Sequence, residues 1–511
     1  MPSAQKFFRV PLSGSYTNRT GTTTTADTAS GYVGIGIVGT MIVGARTSAT
    51  NKDRRFLNCF TQTVIDETTG QKRVFRVKRP GWGTYITPSS GNIGSAIMVW
   101  TGSGAGTACI SAFGTTNSTI YNETTSLGAI TGQATSISET FVTTTPTLTV
   151  PSSDSTAWYY DTGVAVMTKI SDGDFPGNAG YTLAGDFAHM DGFAFIMTTD
   201  AKLWASDLNS VTAWTANSYT SVSSYPDKGV GCIRYKEMVM AFGTDSVEFY
   251  YNAGLTPFPL QVIGNMTVRV GCVSAKALTQ MADAVFWIGS PPQGGLSLFM
   301  YDGSVQRVST PDIDAILILA GATSITLTTA RFYGRSFVIV NAGASTLVYC
   351  MEEKNWHEWS STTPLWYKCA GVSVGTTILT YALHNVQTSG KVYVMNPVAH
   401  VFTDDSVAYT ARMQLSPMDF GTKVPKVWDE LEIVGDVETA ASLLTLSYSD
   451  DDYQTYGTYG TLDLTKTRPR ASRLGSSSRR AWVLTHSSAT PMRLEAIEGR
   501  ATTTNRTSRI P

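Results

Sequence analysis

The chain has 511 residues, 42% of them hydrophobic and only 15% charged, with 38 Lys and Arg against 39 Asp and Glu for a net charge of −1. That length supplies two or three domains with real cores, and Thr, Ser and Gly stand where charge is missing, which suits short strands joined by turns and argues against helical bundles. The near-neutral balance gives no global pull toward nucleic acid or a membrane surface.

Residues 1–50 form an N-terminal arm and a Gly-rich segment. Residues 1–30 are polar and Thr-rich, with a run of Thr at 22–25, and predict an arm that orders only against a partner. Residues 1–14 lack the continuous apolar core of a secretory signal. The uncharged stretch 32–45 is too short to span a bilayer as a helix, and its glycines weaken one. It reads as a strand pair or a Gly-rich loop at a subunit contact, with a membrane-interacting segment as the alternative. Residues 51–90 predict a folded unit, the N-terminal part of a platform domain. Two strands, 55–63 and 71–78, are joined by a turn at 67–70, and Arg79–Pro80–Gly81 closes it.

Residues 91–404 carry a pattern that recurs about every 40–50 residues, the spacing of propeller blades. Each unit is a polar or Gly-containing lead-in, an apolar run, a turn and a second apolar or aromatic run. The paired runs are 193–197 with 202–206, 238–242 with 246–251, 285–288 with 296–301, 337–340 with 346–351, and 378–383 with 391–395. A strand pair of this kind cannot bury both faces alone, and stacking around an axis does so. Upstream, 96–100 and 107–113 predict a first pair, 117–138 a loop or insertion, and 147–150 with 158–168 the completion of a second blade. The count is six or seven blades, with six preferred.

Residues 405–511 change character. Longer alternating strands are predicted at 408–415, 428–434, 443–448, 482–485 and 492–498, the apolar-in, polar-out pattern of a sandwich or platform sheet. The fold class is therefore all-β: a β-propeller of about six blades, plus a β-sheet platform domain built from the N- and C-terminal segments. From 466 to 511 there are ten Lys or Arg against two acids. Arg468, Arg470, Arg473, Arg479, Arg480 and Arg500 are candidate contacts to DNA phosphates or an acidic protein partner, or else solvated strand faces and a basic tail.

Motifs of chemistry are sparse. The six cysteines form no CxxC pair and read as buried free thiols. The five histidines show no HxH or HExxH spacing, and no GxSxG elbow, Walker loop or dinucleotide fingerprint stands in context, so no catalytic, metal or cofactor site is assigned. His357 and Glu358, between Trp356 and Trp359, read as a propeller strand end. Five N-x-S/T sequons, at Asn18, Asn117, Asn122, Asn265 and Asn505, are what a chain rich in Ser and Thr contains by chance. The stretch from Ser449 to Tyr456 resembles the Asp-box hairpin of sialidase-like propellers, with Tyr453 at the Gly position and Tyr456 at the Trp position. That hairpin is a folding device, in which Ser and Asp hydrogen-bond the turn backbone and an aromatic packs beneath.

An ordered series carries a family resemblance. It runs Trp204–Asn209, Trp214, Tyr225–Pro226–Asp227, Met240–Gly243, Val247–Gly254, Phe258–Pro259, Gly271–Cys272, Phe286–Gly289 and Arg307–Pro311. It resembles the packaged-DNA stabilisation proteins, or tail nozzle (hub) proteins, of short-tailed bacteriophages, the podoviruses. Upstream, Arg55–Cys59 and Lys78–Gly81 are similar to that family's N-terminal region. Downstream, Ser449–Asp451 and Arg473–Ser476 resemble its C-terminal sheet. The resemblance implies no catalytic residue and no cofactor. It implies a homo-hexameric ring below the portal and tail adaptor, in the virion. The ring would continue the channel for double-stranded DNA without reading its sequence, retain the genome, and dock tail fibre or spike proteins. The alternative is a carbohydrate-binding or glycoside-hydrolysing propeller that recognises a receptor. Charged side chains with exposed aromatics converging at the propeller's central mouth would favour that alternative, and lateral apolar patches the ring.

Overall fold

A computed structural model describes residues 5–11, 32–34, 56–65, 70, 72–100, 108–142, 145–222, 224–264, 266–281, 283–360, 368–374, 377–384, 388–396 and 400–503. The Thr run at 22–25, most of the Gly-rich segment and the basic tail beyond 503 lie outside the described residues. The chain divides into two compact units. One comprises residues 1–81, 353–362 and 400–511, the other 82–352 and 363–399. The return to the first unit at 353–362 falls inside the stretch that the repeat pattern assigns to the propeller.

The second unit is the propeller. Blade 1 is the antiparallel series Gly94–Trp100, Ala108–Phe113, Ser118–Asn122 and Thr125–Ile130. Blade 2 begins with Ser138–Thr140, and blades 3, 4 and 5 with Leu183–Met190, Gly229–Tyr235 and Leu278–Met281. Each of these has four strands. Blade 6 contributes Ile325–Phe332, Arg335–Ala342 and Ser345–Cys350. Blade 7 contributes Lys368–Val374, Thr377–Leu383 and Val392–Met395. The middle strands of the blades are apolar because both faces are covered. Ala284–Gly289 is buried throughout, and so are residues 337–342 of Arg335–Ala342. The cores are shared between neighbouring blades. Phe175 of the segment after blade 2 and Ala157 within it pack with Phe187, Trp204 and Trp214 of blade 3, while Phe195 and Leu203 pack with Val239 and Tyr250 of blade 4.

Among the described residues the blades number seven, not the preferred six. In two blades the origin of the outer strands differs from expectation. Residues 117–138, expected as loop, contain the two outer strands of blade 1. Their buried positions are held by hydroxyls as well as hydrocarbon: Ser118 Oγ accepts from the Ala134 amide at 3.0 Å and lies 3.2 Å from Ser95 Oγ. A hydrophobic scan passes over such strands. The fourth strand of blade 7 comes from the other end of the unit. Gly83–Ile86, before blade 1, pairs antiparallel with Val392–Met395. The inner strand of blade 7 lies beside that of blade 1, so the ring is closed.

The first unit is a β-sandwich. One sheet runs Asn355–Trp359, Phe56–Leu57, Ala411–Gln414, Ala481–His486, Leu443–Ser449 and Gly457–Asp463. The other centres on Lys426–Gly435, flanked by Arg470–Ser472 and by the long strand Arg493–Thr503. Lys72–Lys78 and Gln5–Pro11 pair with Arg493–Thr503, and Cys59–Ile65 pairs with Lys72–Lys78. Trp428 and Trp482, one from each sheet, meet edge to face with centroids 5.7 Å apart and no exposure. The platform is thus built from N- and C-terminal strands, as expected. Part of the arm differs from expectation: residues 5–11 order against this chain's own strand. His357 and Glu358 sit in the buried strand Asn355–Trp359, parallel to Phe56–Leu57. Among the described residues no helix is long and apolar enough to cross a membrane.

Candidate functional site

The inner strands of the blades bound an axial cavity of about 490 Å³. It is lined where those strands begin: 183–186 of blade 3, 229–230 of blade 4, 278–279 of blade 5 and 326–328 of blade 6, with Ile97 of blade 1. Small residues occupy these places because the strands converge. Gly185 has φ +76°, and a Cβ there would stand 2.7 Å from the Gly231 Cα of the next blade. The lining is aliphatic and hydroxylic, with no aromatic ring, and its charged side chains are Asp186 and Lys276. This end of the axis therefore offers neither a stacking platform nor a pair of carboxylates for glycoside chemistry. Among the described residues no group of three or more His, Cys, Asp or Glu could hold a metal ion.

The six arginines singled out from the sequence lie in the sandwich, where carboxylates face most of them. Arg468 pairs with Glu498 at 3.0 Å and Glu432 at 3.5 Å. Arg470 pairs with Glu430 at 3.3 Å and Arg479 with Asp452 at 2.8 Å. Arg500 stands 3.9 Å from Asp429. Arg473 is exposed, in the left-handed region with φ 59°, and makes no ion pair among the described residues. Arg480 corrects the expectation of an accessible contact, because its side chain is 3% exposed. It forks onto Asp450 at 2.7 Å through both Nε and Nη2, and its guanidinium lies 4.2 Å from the Tyr448 ring centroid and 5.4 Å from that of Trp482. It is a packing element of the sandwich. Counting charge along the chain cannot separate it from its exposed neighbours.

The hairpin at 449–456 has Asp-box hydrogen bonding. Ser449 Oγ accepts from the Tyr453 amide at 2.8 Å, and Asp451 accepts from the Thr455 amide at 2.9 Å and from its hydroxyl at 2.5 Å. Those Thr455 bonds hold the Asp451 carboxyl down to about 2. The buried aromatic is Tyr453, whose hydroxyl donates to the Leu415 carbonyl at 2.6 Å, while Tyr456 is 40% exposed. The Gly and Trp positions of the motif have exchanged roles. A second turn of this kind, at Ser152–Ser153–Asp154–Ser155–Thr156–Ala157–Trp158 in blade 2, is one residue shorter and so does not match the spacing of the motif. Asp154 there accepts from Ser152 and from the Thr156 amide at 3.1 Å, and Trp158 Nε1 donates to Thr156 Oγ1 at 3.1 Å. Partial burial opposes the Asp154 charge, but these bonds hold its carboxyl at about 2. Both turns are structural devices.

Cys59, Cys109, Cys232, Cys272 and Cys350 are buried free thiols, as read from their spacing. Burial pushes Cys59, Cys232 and Cys272 up to about 12, so they carry no thiolate for chemistry.

A family model described as Bacteriophage P22 Gp10, beta-propeller, matches residues 113–368. No curated protein matches the chain. Among solved structures, BBS1N in complex with ARL6DN is similar over 62% of this chain and 98% of that one, at 12% identity and a TM-score of 0.39. The RRP9 WD40 repeats are similar over 63% of this chain and 99% of that one, at 8% identity and a TM-score of 0.39.

Proposed function

The chain belongs to the phage-stabilisation family described as Bacteriophage P22 Gp10, beta-propeller, structural proteins of the phage tail, and from that premise we propose that it forms the tail nozzle. In this reading six copies form a ring below the portal and tail adaptor. The ring continues the DNA channel, retains the packaged genome and docks tail fibre or spike proteins. Assembly takes place in the cytoplasm of the host bacterium, and the ring acts in the virion during genome ejection.

The observation that carries the reading is the family match, which spans about half the chain and most of the propeller. Two physical features support it. A closed propeller is a rigid body whose shape does not depend on a ligand. A near-neutral chain also suits a conduit, because dense Lys and Arg along a lumen would bind phosphates strongly and retard the passage of DNA. Ion pairing across the sandwich arginines lowers that attraction further. Arg468, Arg470, Arg473, Arg479 and Arg500 remain candidate contacts to DNA or to the adaptor, with Arg473 foremost. The role is mechanical and calls for no cofactor or catalytic residue.

Electron microscopy of the purified protein, with and without its adaptor complex, tests the reading. Six-fold rings in two-dimensional class averages are the expected result. Single propellers that ignore the adaptor would overturn it.

A further inference from the structure

The axis of the propeller has a second opening, at the ends of the inner strands opposite the cavity described above. It is an open pocket of about 440 Å³, walled by the last residues of the inner strands of blades 2 to 5. The two ends differ in chemistry. Where the first is aliphatic and hydroxylic, this one carries Glu139, Asp191, Arg234 and Gln280 beside the aromatic ring of Phe141.

Phe141 is 66% exposed, an unusual position for a ring at the end of an inner strand. The charged and amide groups around it are planar. Arg234 is exposed and has no carboxylate partner among the described residues; its Nε donates to the Lys236 carbonyl at 2.8 Å and its Nη1 to the His189 carbonyl at 3.4 Å, which leaves Nη2 for a ligand. Asp191, also exposed, accepts from Asn252 Nδ2 at 3.0 Å through one oxygen, and its other oxygen has no hydrogen bond to a described residue. His189 closes the floor, with Nε2 held 3.1 Å from Thr149 Oγ1. Acceptors, a donor fork and an amide around an exposed ring are suited to adjacent hydroxyls on a saturated ring, whose apolar face covers the aromatic. Two carboxylates against one guanidinium disfavour an anionic ligand by charge.

We propose that this opening binds a neutral saccharide, with Phe141 as the stacking platform and Asp191 and Arg234 as hydroxyl-binding groups. The site gives the propeller a means of recognising a cell-surface glycan and requires no bond to be broken. The site does not rest on the nozzle reading, and its charged groups beside an exposed ring are what the carbohydrate-binding alternative calls for; a ring with an empty pocket and a saccharide-binding monomer are separate outcomes of separate experiments.

The full-length chain, fluorescently labelled, is applied to an array of neutral oligosaccharides of glucose, galactose, mannose and rhamnose alongside acidic counterparts, and the strongest hit is titrated calorimetrically. Binding to at least one neutral glycan is expected, weakened tenfold or more by Phe141→Ala and by Asp191→Asn. Asn tolerates the positive φ of 52° at position 191, and Phe141 is exposed, so thermal unfolding should match the parent. Lys276→Ala, at the opposite end of the axis, should bind as the parent does. No neutral glycan bound, acidic glycans bound in preference, or binding that survives both pocket substitutions would each overturn the proposal.

Discussion

Arg79 and Asp404 clasp one another inside the sandwich, with Nη1 to Oδ1 at 3.0 Å and Nη2 to Oδ2 at 2.6 Å. The side chains are 1% and 0% exposed, and the residues are 325 positions apart. Between them in sequence lies the whole propeller. Asn58 Oδ1 accepts from Arg79 Nε at 2.9 Å, and the Tyr409 ring centroid lies 4.0 Å from the guanidinium. Burial opposes the Arg79 charge, but the Asp404 carboxylate prevails and raises its pKa. The segment that leads into the propeller and the one that leaves it are therefore locked together within one sandwich.

Removing one partner of this pair strands a buried charge. Asp404→Ala should destabilise the sandwich by about 3–5 kcal/mol, whereas Arg79→Met with Asp404→Leu should cost much less. Urea denaturation followed by tryptophan fluorescence compares the two. Equal losses would mean that packing, and not the stranded charge, sets the cost.

Ring closure rests on the strand Gly83–Ile86, where Tyr85 meets Tyr381 with centroids 5.0 Å apart. A double-mutant cycle of Tyr85→Ala and Tyr381→Ala should give a coupling of about 0.5–1.5 kcal/mol. Amide exchange should rise first in residues 377–395. Unchanged exchange there would show that the closure does not depend on this contact.

His486 is fully buried in the sandwich, with Nε2 2.8 Å from Ser442 Oγ. Burial, and then the nearby Lys78 charge, lower its imidazole from 6.5 to about 3. Between those values the unfolded chain takes up a proton that the folded chain refuses. Stability is therefore complete above the unfolded value and falls as the pH drops below it, by up to about 1.4 kcal/mol per pH unit. Urea midpoints from about pH 7.5 down to pH 5 should show this slope, and His486→Gln should flatten it. An identical slope in the variant would assign the loss to other groups.

Arg480 and Arg473 should separate stability from binding. Arg480→Ala should cost about 2–3 kcal/mol through lost packing and an unpaired Asp450. Arg473→Ala should leave stability within about 0.5 kcal/mol. If the sandwich touches DNA, Arg473→Ala should also lower the salt dependence of duplex binding between about 50 and 200 mM salt more than Arg468→Ala does. Fluorescence anisotropy reads this. A larger effect from Arg468→Ala would show that its bonds to Glu432 and Glu498 do not neutralise it.

The middle strands of the blades were legible because neighbouring blades cover both faces and so demand unbroken apolar runs, such as 193–197 and 337–340. The outer strands were not. Ser118–Asn122 and Thr125–Ile130 bury only Ser118, Ile120, Leu127 and Ile130, isolated positions that make no apolar run. The axial sites were equally silent, since Gly185, Thr328 or Phe141 carries no motif, and position near the axis alone gives it meaning.

An ordered series of residues between Trp204 and Pro311 carried the family resemblance, while composition and period by themselves determined the all-β class, the propeller, the alternating platform strands and the buried thiols. Each follows from local rules of burial and backbone preference that a short window contains. Tertiary structure alone decided how the last blade is completed, by Gly83–Ile86 across some 300 residues, and the clasp of Arg79 with Asp404. It also decided that Arg480 is interior while Arg473 is exposed. These depend on which distant residue comes within a few ångströms. A single charge or a four-residue strand has too little surface of its own to specify its partner, and the closed ring and packed sandwich supply it.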